Sequence, residues 1–520
     1  MTLTEGPEAL LWRENLVEAG FSDDGAHLRG PVTWEHPQGG LITARVEMEA
    51  ENFPFAPPQV RILDPGVPLD FTFHVDRPAP RHTLGNLCLW EDSWSADVAP
   101  WLEAQTVLDR VAHWLRRTAL GWPGDRACDL ERYLPREDTL VLYDSAVPLT
   151  GLARAKKDGN GAVSVVARSS GPPPGAHQPK DRRRPKRAGK PPEDIGWVWV
   201  CDVGAVDAPV RSWSDVLALL GADADKVEHE VELTRTRWML IHYSRGGVPG
   251  VLALHLSYTS AAGVEVRSCE AADTSVETRM LRAGASAGDL ADVRVAIVGC
   301  GAIGSFVADM LFRSGLRHLD LRDHETLRPG NVVRHVAGLD EVGRPKVEAV
   351  RRALCRIDPN TSTVSVHASG VWTLDQAVAL LQRHDLVVDA TGSARATSLL
   401  SSAAELTDQV VVSACVQRDG DVVRVDRMPL RSSETYLPPL TRDDDDNQPR
   451  ERGCGSPVSL TPPGAVLAAA ELACRVIIDE VSGSRSLPGS LADVRQPQPE
   501  APFDRLGLVS TRTTPGSGPE

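Results

Sequence analysis

Val295-Ala296-Ile297-Val298-Gly299-Cys300-Gly301-Ala302-Ile303-Gly304 reads as a hydrophobic strand, a glycine turn and the start of a helix. That succession presents backbone N–H groups to phosphate, because a helix start leaves amides unpaired and glycine lets the chain pass close to an anion. Asp323 comes next at the interval expected of a carboxylate ending the second strand, where it accepts hydrogen bonds from ribose hydroxyls. Outward from this point strand-like and helix-like runs alternate, at 294–298, 303–313, 318–322, 346–357, 363–367, 385–390, 394–406 and 410–416. The alternation predicts an α/β, doubly wound, Rossmann-like domain over 286–485.

The glycine turn alone serves NAD, FAD and ATP proteins alike. The residues beyond it separate them: Asp323-His324-Glu325-Thr326-Leu327-Arg328-Pro329-Gly330-Asn331-Val332-Val333-Arg334-His335, then Gly343-Arg344-Pro345-Lys346. Two fixed cations and an amide donor suit a triphosphate whose α-phosphorus must become more electrophilic and whose pyrophosphate must leave with its charge met. A dehydrogenase would leave Asn331, Arg334 and Lys346 without a task.

With 520 residues and 42% hydrophobic content, the chain is longer than one core usually supports, and three folded units are expected. The net charge of −15 speaks against general nucleic-acid affinity. No apolar run is long enough for a membrane span and 1–20 has no signal pattern, so a cytoplasmic location is expected. Nine cysteines without a C-x-x-C pair argue against a zinc ribbon or a redox motif.

Residues 1–145 read as an α+β domain, opening with an amphipathic helix near 9–19 and closing with a helix at 104–116 that carries Val107, Leu108, Val111, Trp114 and Leu115. Gly, Pro, Ser and basic residues then predict a disordered linker over 146–195. Apolar strand-like runs return in a small α/β unit over 196–285, whose role is not readable, and 486–520 reads as a disordered tail.

Two thiols stand where acyl transfer can use them. Cys454 lies in Arg452-Gly453-Cys454-Gly455-Ser456-Pro457, after the acidic run 443–446. Cys88 lies in Arg81-His82-Thr83-Leu84-Gly85-Asn86-Leu87-Cys88-Leu89-Trp90. Cysteine is the most nucleophilic side chain near neutral pH, and adenylate is a good leaving group. Cys300, inside the glycine loop, and Cys415, on a predicted strand, read as packing residues.

At the glycine loop and the motifs after it, over roughly 275–480, the chain resembles the adenylating domain of ubiquitin-activating enzymes and their bacterial ThiF-type relatives. The resemblance implies ATP and Mg2+, with the loop of Gly299, Gly301 and Gly304 at the nucleotide. It further implies Asp323 for ribose, Asn331 and Arg334 for phosphates, and Lys346 for the phosphates and the attacking carboxylate. The family is usually dimeric, so a homodimer is expected, with Arg279 or Arg282 as the arginine reaching in from ahead of the loop. Cys454 is similar in position to the family's catalytic cysteine. Where the family has an Asp-Asn pair, this chain reads Val387-Val388-Asp389-Ala390-Thr391-Gly392-Ser393, and Asp389 either holds the metal or simply ends its strand.

Over about 7–120, the proline-rich Phe53-Pro54-Phe55-Ala56-Pro57-Pro58, then Cys88 after a glycine turn, then Trp94, resemble the ubiquitin-conjugating fold. Eukaryotic members carry a His-Pro-Asn element whose asparagine stabilises the oxyanion. Here His82-Thr83-Leu84 stands instead, leaving His82 or Asn86 as candidates for that task. The two resemblances together are similar to bacterial fused activating and conjugating enzymes of antiphage defence, including cyclic-oligonucleotide-based signalling systems. They imply adenylation of a ubiquitin-like modifier or other protein with a C-terminal glycine, thioesters on Cys454 and Cys88, and ligation to a target protein's acceptor lysine, the target being in some systems a defence nucleotidyltransferase. Alternatives are a sulfur-carrier-activating adenylyltransferase, which has no use for Cys88, and a catalytically silent adaptor. In this reading the basic linker is a tether that lets Cys88 visit Cys454.

Overall fold

The computed structural model describes residues 6–64, 72–76, 83–90, 99–126, 129–147, 150–167, 193–233, 236–432, 434–440 and 459–511, and the chain divides into two compact units between Val276 and Glu277.

The first unit begins with the helix Pro7–Glu18, in which Ala9, Trp12 and Leu16 recur at helical spacing and are buried. Four antiparallel strands come next in sequence order, Ser22–Asp23, His27–Glu35, Leu41–Glu49 and Gln59–Asp64. Period-two alternation decides their inner face: Leu28, Val32 and Trp34 on one strand and Ala44, Val46 and Met48 on the next are buried. The helix Ala104–Ala119 closes this core with Val107, Val111, Trp114 and Leu115, while Leu108 is half-buried. Arg116 and Arg117 sit in its last turn, where the helix dipole favours cations.

The rest of this unit is a closed seven-stranded barrel. Its strands run around the wall in the order Val248–Thr259, Gly263–Asp273, Arg136–Tyr143, Val163–Val166, Gly151–Lys157, Glu193–Ala205 and Thr236–Arg245. Trp199, Met239, Ile241, Leu252 and Leu254 pack under the helices Trp213–Leu220 and Ala224–Glu232. The alternate positions, Val198, Val200, Leu240 and Ala253 with Ala153, Ala155, Val163 and Val165, form a separate cluster and fill the inside. Two expectations are thereby corrected. The span 146–195 is not a disordered linker throughout, since Gly151–Lys157 and Val163–Val166 are barrel strands, and the unit expected at 196–285 starts instead at Arg136. The signal was weak because Ala153 and Ala155, 3% and 0% exposed, do the inward packing with very little apolar surface. The basic run at 180–190 lies outside the described residues.

The second unit is one eight-stranded sheet. Its first five strands are parallel, in the order Val364–His367, His318–Arg322, Arg294–Val298, Leu386–Asp389 and Val410–Gln417. Val422–Met428, Ser490–Val494 and Gly507–Ser510 continue it antiparallel. Both faces are covered, as a doubly wound sheet requires. Val295 and Ile297 pack with the helices Ala302–Arg313, Lys346–Ile357 and Pro463–Val481, whereas Ala296 and Val298 pack with Leu374–Leu381 and Ala394–Thr407. The tail expected from 486 onward is likewise corrected: two of its segments are strands, and Leu491, Ala492, Val494 and Phe503 are buried. Residues 512–520 lie outside the described residues. No described helix is long and apolar enough to cross a membrane.

Candidate functional site

The loop after strand Arg294–Val298 is shaped by its glycines. Gly299 has φ +90°, and a Cβ there would lie 2.7 Å from the Ala390 carbonyl group. At Gly304 a Cβ would fall 1.8 Å from the Gly299 carbonyl oxygen, so turn and helix share space that only glycine leaves free. Gly301 differs, since the nearest atom to a Cβ would be Lys346 Nζ at 3.9 Å. It opens onto a cavity of about 420 Å³, within the range that small ligands occupy.

Two side chains clamp the loop. Asp323 Oδ2 accepts from the Cys300 amide at 2.8 Å, and Oδ1 accepts from the Glu325 amide at 2.8 Å. Each oxygen keeps a second lone pair for another donor. His335 Nδ1 accepts from the Ala337 amide at 3.0 Å, which leaves the ring proton on Nε2, and Nε2 donates to the Cys300 carbonyl at 3.0 Å. Burial pushes the His335 imidazole below its ordinary value, favouring the neutral ring that this pair of bonds requires. Cys300 itself is fully buried and burial pushes its thiol up.

Lys346 opens its helix and pairs with Glu325, whose carboxyl that ammonium holds below the usual carboxylate range. The two ends differ in exposure: the lysine side chain is 9% exposed and the glutamate 55%. Arg334 Nη1 donates to Ser459 Oγ at 3.1 Å and to the Thr461 carbonyl at 3.2 Å. Trp372 and His324, edge to face with centroids 4.9 Å apart, contribute to the wall. Gly299, Gly301, Asp323, Arg334 and Lys346 therefore line one cavity. Gly304 lies behind the loop.

Several expected residues do not meet there. Asn331 Oδ1 accepts from the Arg328 amide at 3.0 Å within the turn Pro329–Arg334, and the residue does not line the cavity. Asp389 is 1% exposed and saturated. Its Oδ1 accepts from the Thr391 amide at 3.1 Å and hydroxyl at 2.7 Å, and its Oδ2 accepts from the hydroxyls of Thr397 at 2.5 Å and Ser413 at 3.1 Å. Of the two readings, holding a metal or ending the strand, this geometry fits the second, since the carboxylate ties three elements together. Arg279 is turned toward its own unit, donating to the Ile357 carbonyl at 3.0 Å and pairing with Asp358 at 3.3 Å, and Arg282 is exposed. Cys454 and His82 lie outside the described residues.

The structure also places residues that sequence reasoning gave no role. His335 and Glu325 were visible in the motif but carried no signal of partner or direction. Cys415, expected to be a buried packing thiol, lines the cavity half-buried, with burial first and then Asp426 pushing its thiol up to about 11.

Cys88 sits in the first unit on a short antiparallel bridge between Val75 and Leu87, with its amide donating to the His74 carbonyl at 2.9 Å. A Cβ at Gly85 would lie 2.2 Å from the Asp76 carbonyl oxygen, so glycine is required just ahead of the thiol. Asn86 is oriented through its Oδ1, which accepts from the Val60 amide at 2.7 Å. Arg132, 44 residues further along, brings Nη1 to 3.7 Å from Cys88 Sγ.

A Rossmann-like sheet whose glycine loop, carboxylate, lysine and arginine converge on one cavity defines a nucleotide-binding α/β domain. Residues 279–499 match the model of the ThiF family. The molybdopterin-synthase adenylyltransferase of Escherichia coli (strain K12) is 35% identical over 137 residues, which are 26% of this chain and 53% of that protein. The ATP-dependent ubiquitin transferase-like protein Cap2 of Enterobacter hormaechei subsp. hoffmannii (strain UCI 50) is 32% identical over 109 residues, 21% of this chain and 18% of that protein. The match thus spans about half of the first relative and under a fifth of the second. A solved structure of the microcin C7 biosynthetic enzyme MccB with N-formylated MccA aligns over 44% of this chain and 66% of that one, at 18% identity and a TM-score of 0.34.

Proposed function

We propose that this protein consumes ATP to activate the C-terminal carboxylate of a ubiquitin-like modifier and passes the acyl group through Cys454 and Cys88 to an amine on a target protein. The observation that carries the reading is the convergence of the glycine-loop amides, Asp323, Arg334 and Lys346 on one cavity of a ThiF-type domain. Asp323 receives the ribose hydroxyls on its spare lone pairs, and the loop amides receive phosphate. Glu325 holds the Lys346 ammonium from the solvent side, so an arriving phosphate displaces a carboxylate that water can take over at once. The carboxylate oxygen then attacks the α-phosphorus, an O–P bond forms, and the bond to pyrophosphate breaks. Lys346 and Arg334 meet the charge that develops.

Magnesium does not have a protein ligand set in this reading. Asp389 has no free lone pair directed outward, and no group of three metal-ligating side chains occurs among the described residues. A magnesium ion would come with the triphosphate, held by phosphate and water. The later steps are thiol chemistry: Cys454 displaces AMP, Cys88 displaces Cys454 by exchange, and a lysine amine displaces Cys88 to form an isopeptide. The sulfur-carrier reading shares the cavity and requires nothing of Cys88. A homodimer, a cytoplasmic setting and a role in antiphage defence belong to the same proposal.

Intact-mass analysis of a Cys88→Lys variant expressed in its native cells tests it, since a lysine there traps a passing acyl group as a stable amide. The expected result is a mass gain mapped to residue 88 whose fragments identify the modifier. An unmodified variant in cells where the system is active would leave adenylation without conjugation.

A further inference from the structure

We infer that Arg132 is a catalytic residue at Cys88, its guanidinium stabilising the cysteine's thiolate when it attacks and again when it leaves; this rests on reading Cys88 as an acyl carrier.

The Asn86 side chain is anchored by its Oδ1, which accepts from the Val60 amide, and its N–H donors suit an oxyanion and not a thiolate. Arg132 reaches the sulfur instead, with Nη1 3.7 Å from Sγ. It is carried on the single turn Leu130–Tyr133, and that turn is held from several sides. Leu130 and Tyr133 are 1% and 7% exposed and pack with Phe73. The Tyr133 hydroxyl accepts from the His74 amide at 3.0 Å, and the His74 carbonyl in turn accepts from the Cys88 amide at 2.9 Å. Ser268, from the barrel, donates to the Glu131 carbonyl at 2.8 Å. The turn and the thiol thus share one residue, His74, as their backbone reference. His74 is itself fixed, since Nε2 lies 2.9 Å from an Asp125 oxygen that Arg245 also binds.

Asp76 completes the arrangement, with Oδ1 3.6 Å from Arg132 Nε. The carboxylate holds one edge of the fork and leaves the other turned to sulfur. Both members are partly exposed, with side chains 33% and 42% accessible, so a partner thioester can approach. A guanidinium stays charged at every working pH, and a fixed cation beside a thiol favours the thiolate.

In loading, the Cys88 thiolate attacks the carbonyl of the incoming thioester, a C–S bond forms, and the bond to the donor sulfur breaks with its electron pair. In discharge, the amine nitrogen attacks, the C–N bond forms, and the electron pair of the breaking C–S bond returns to Cys88 as thiolate, while the amine proton passes to solvent. Arg132 lies beside that sulfur in both steps.

The test maps alkylation of Cys88 against pH by peptide mass spectrometry on the full chain, alongside discharge of loaded Cys88 to a free amine. Arg132→Gln is expected to move the alkylation midpoint up by about one pH unit and to slow discharge about tenfold. A thermal unfolding midpoint reports whether the variant folds. Arg132→Lys keeps the charge with a shorter reach, serves if Arg132→Gln does not fold, and gives a smaller rise. Parental midpoints and discharge in the folded variants overturn the role of Arg132. A parent that never loads at Cys88 overturns the acyl-carrier reading instead, and the alkylation profile separates these two failures.

Discussion

The nucleotide cavity and the Cys88 neighbourhood are assembled in different ways. The cavity collects residues from the ends of successive parallel strands, so its loop, Asp323, Arg334 and Lys346 fall within some fifty residues of one another in the chain. Cys88 takes its charged neighbour from a turn 44 residues away that belongs with the barrel wall. A site at one edge of a parallel sheet is inherited from the topology. A site at the junction of two cores depends on both of them, and its chemistry changes when either core shifts.

The largest effect that separates the two sites is expected at Lys346. Lys346→Ala removes the buried cation of the cavity and should lower ATP–pyrophosphate exchange by about a hundredfold or more, measured with the modifier's C-terminal peptide. Equal exchange in variant and parent would leave the cavity a binding site and favour the silent adaptor. A smaller effect, on stability and not on chemistry, is expected at Asp389. Asp389→Ala strands donors from Thr391, Thr397 and Ser413 and should cost about 3 kcal/mol in denaturant unfolding. The magnesium dependence of exchange should stay as in the parent, and a changed dependence would restore the metal role to this carboxylate.

The smallest effect is the pH response of His335. Burial lowers its folded value below the ordinary 6.5, so below that pH the unfolded chain binds the proton more readily than the folded one. The stability that the neutral ring contributes is therefore present above about 6.5 and is lost as pH falls toward the folded value. His335→Gln should flatten the dependence of the unfolding midpoint on pH in that window, and an unchanged slope would place the sensitivity elsewhere.

The second unit was largely legible in the sequence because its central strands, Arg294–Val298 and Leu386–Asp389, are apolar on both faces and each loop has a distinctive residue. Asp389 shows where that legibility ends. A carboxylate closing a strand reads the same whether it caps or coordinates, and the deciding hydroxyls sit on three separate elements. Asn331 is similar, its amide turned back on Arg328 by a local turn that spacing does not reveal. The barrel was hidden for another reason: its inner wall is partly alanine, and two of its strands lie beside a basic, proline-rich stretch that dominates composition. Arg132 carried no sequence signal at all. Its meaning comes from the fold that brings it to the sulfur. The tether expected over 146–195 is also shortened, since barrel strands occupy part of it and the Ser268 and Tyr243 contacts join the turn of Arg132 to the wall.

The antiparallel end of the large sheet bears on how the protein is made. Val422–Met428 pairs on its outer side with Ser490–Val494, a segment that a ribosome delivers only after the helix Pro463–Val481 has been synthesised. Until then the nascent strand has an open edge, with Val422, Val423 and Val425 awaiting their cover. Synthesis that stalls short of Ser490 leaves a sticky intermediate, and the speed of translation across that interval becomes a determinant of yield.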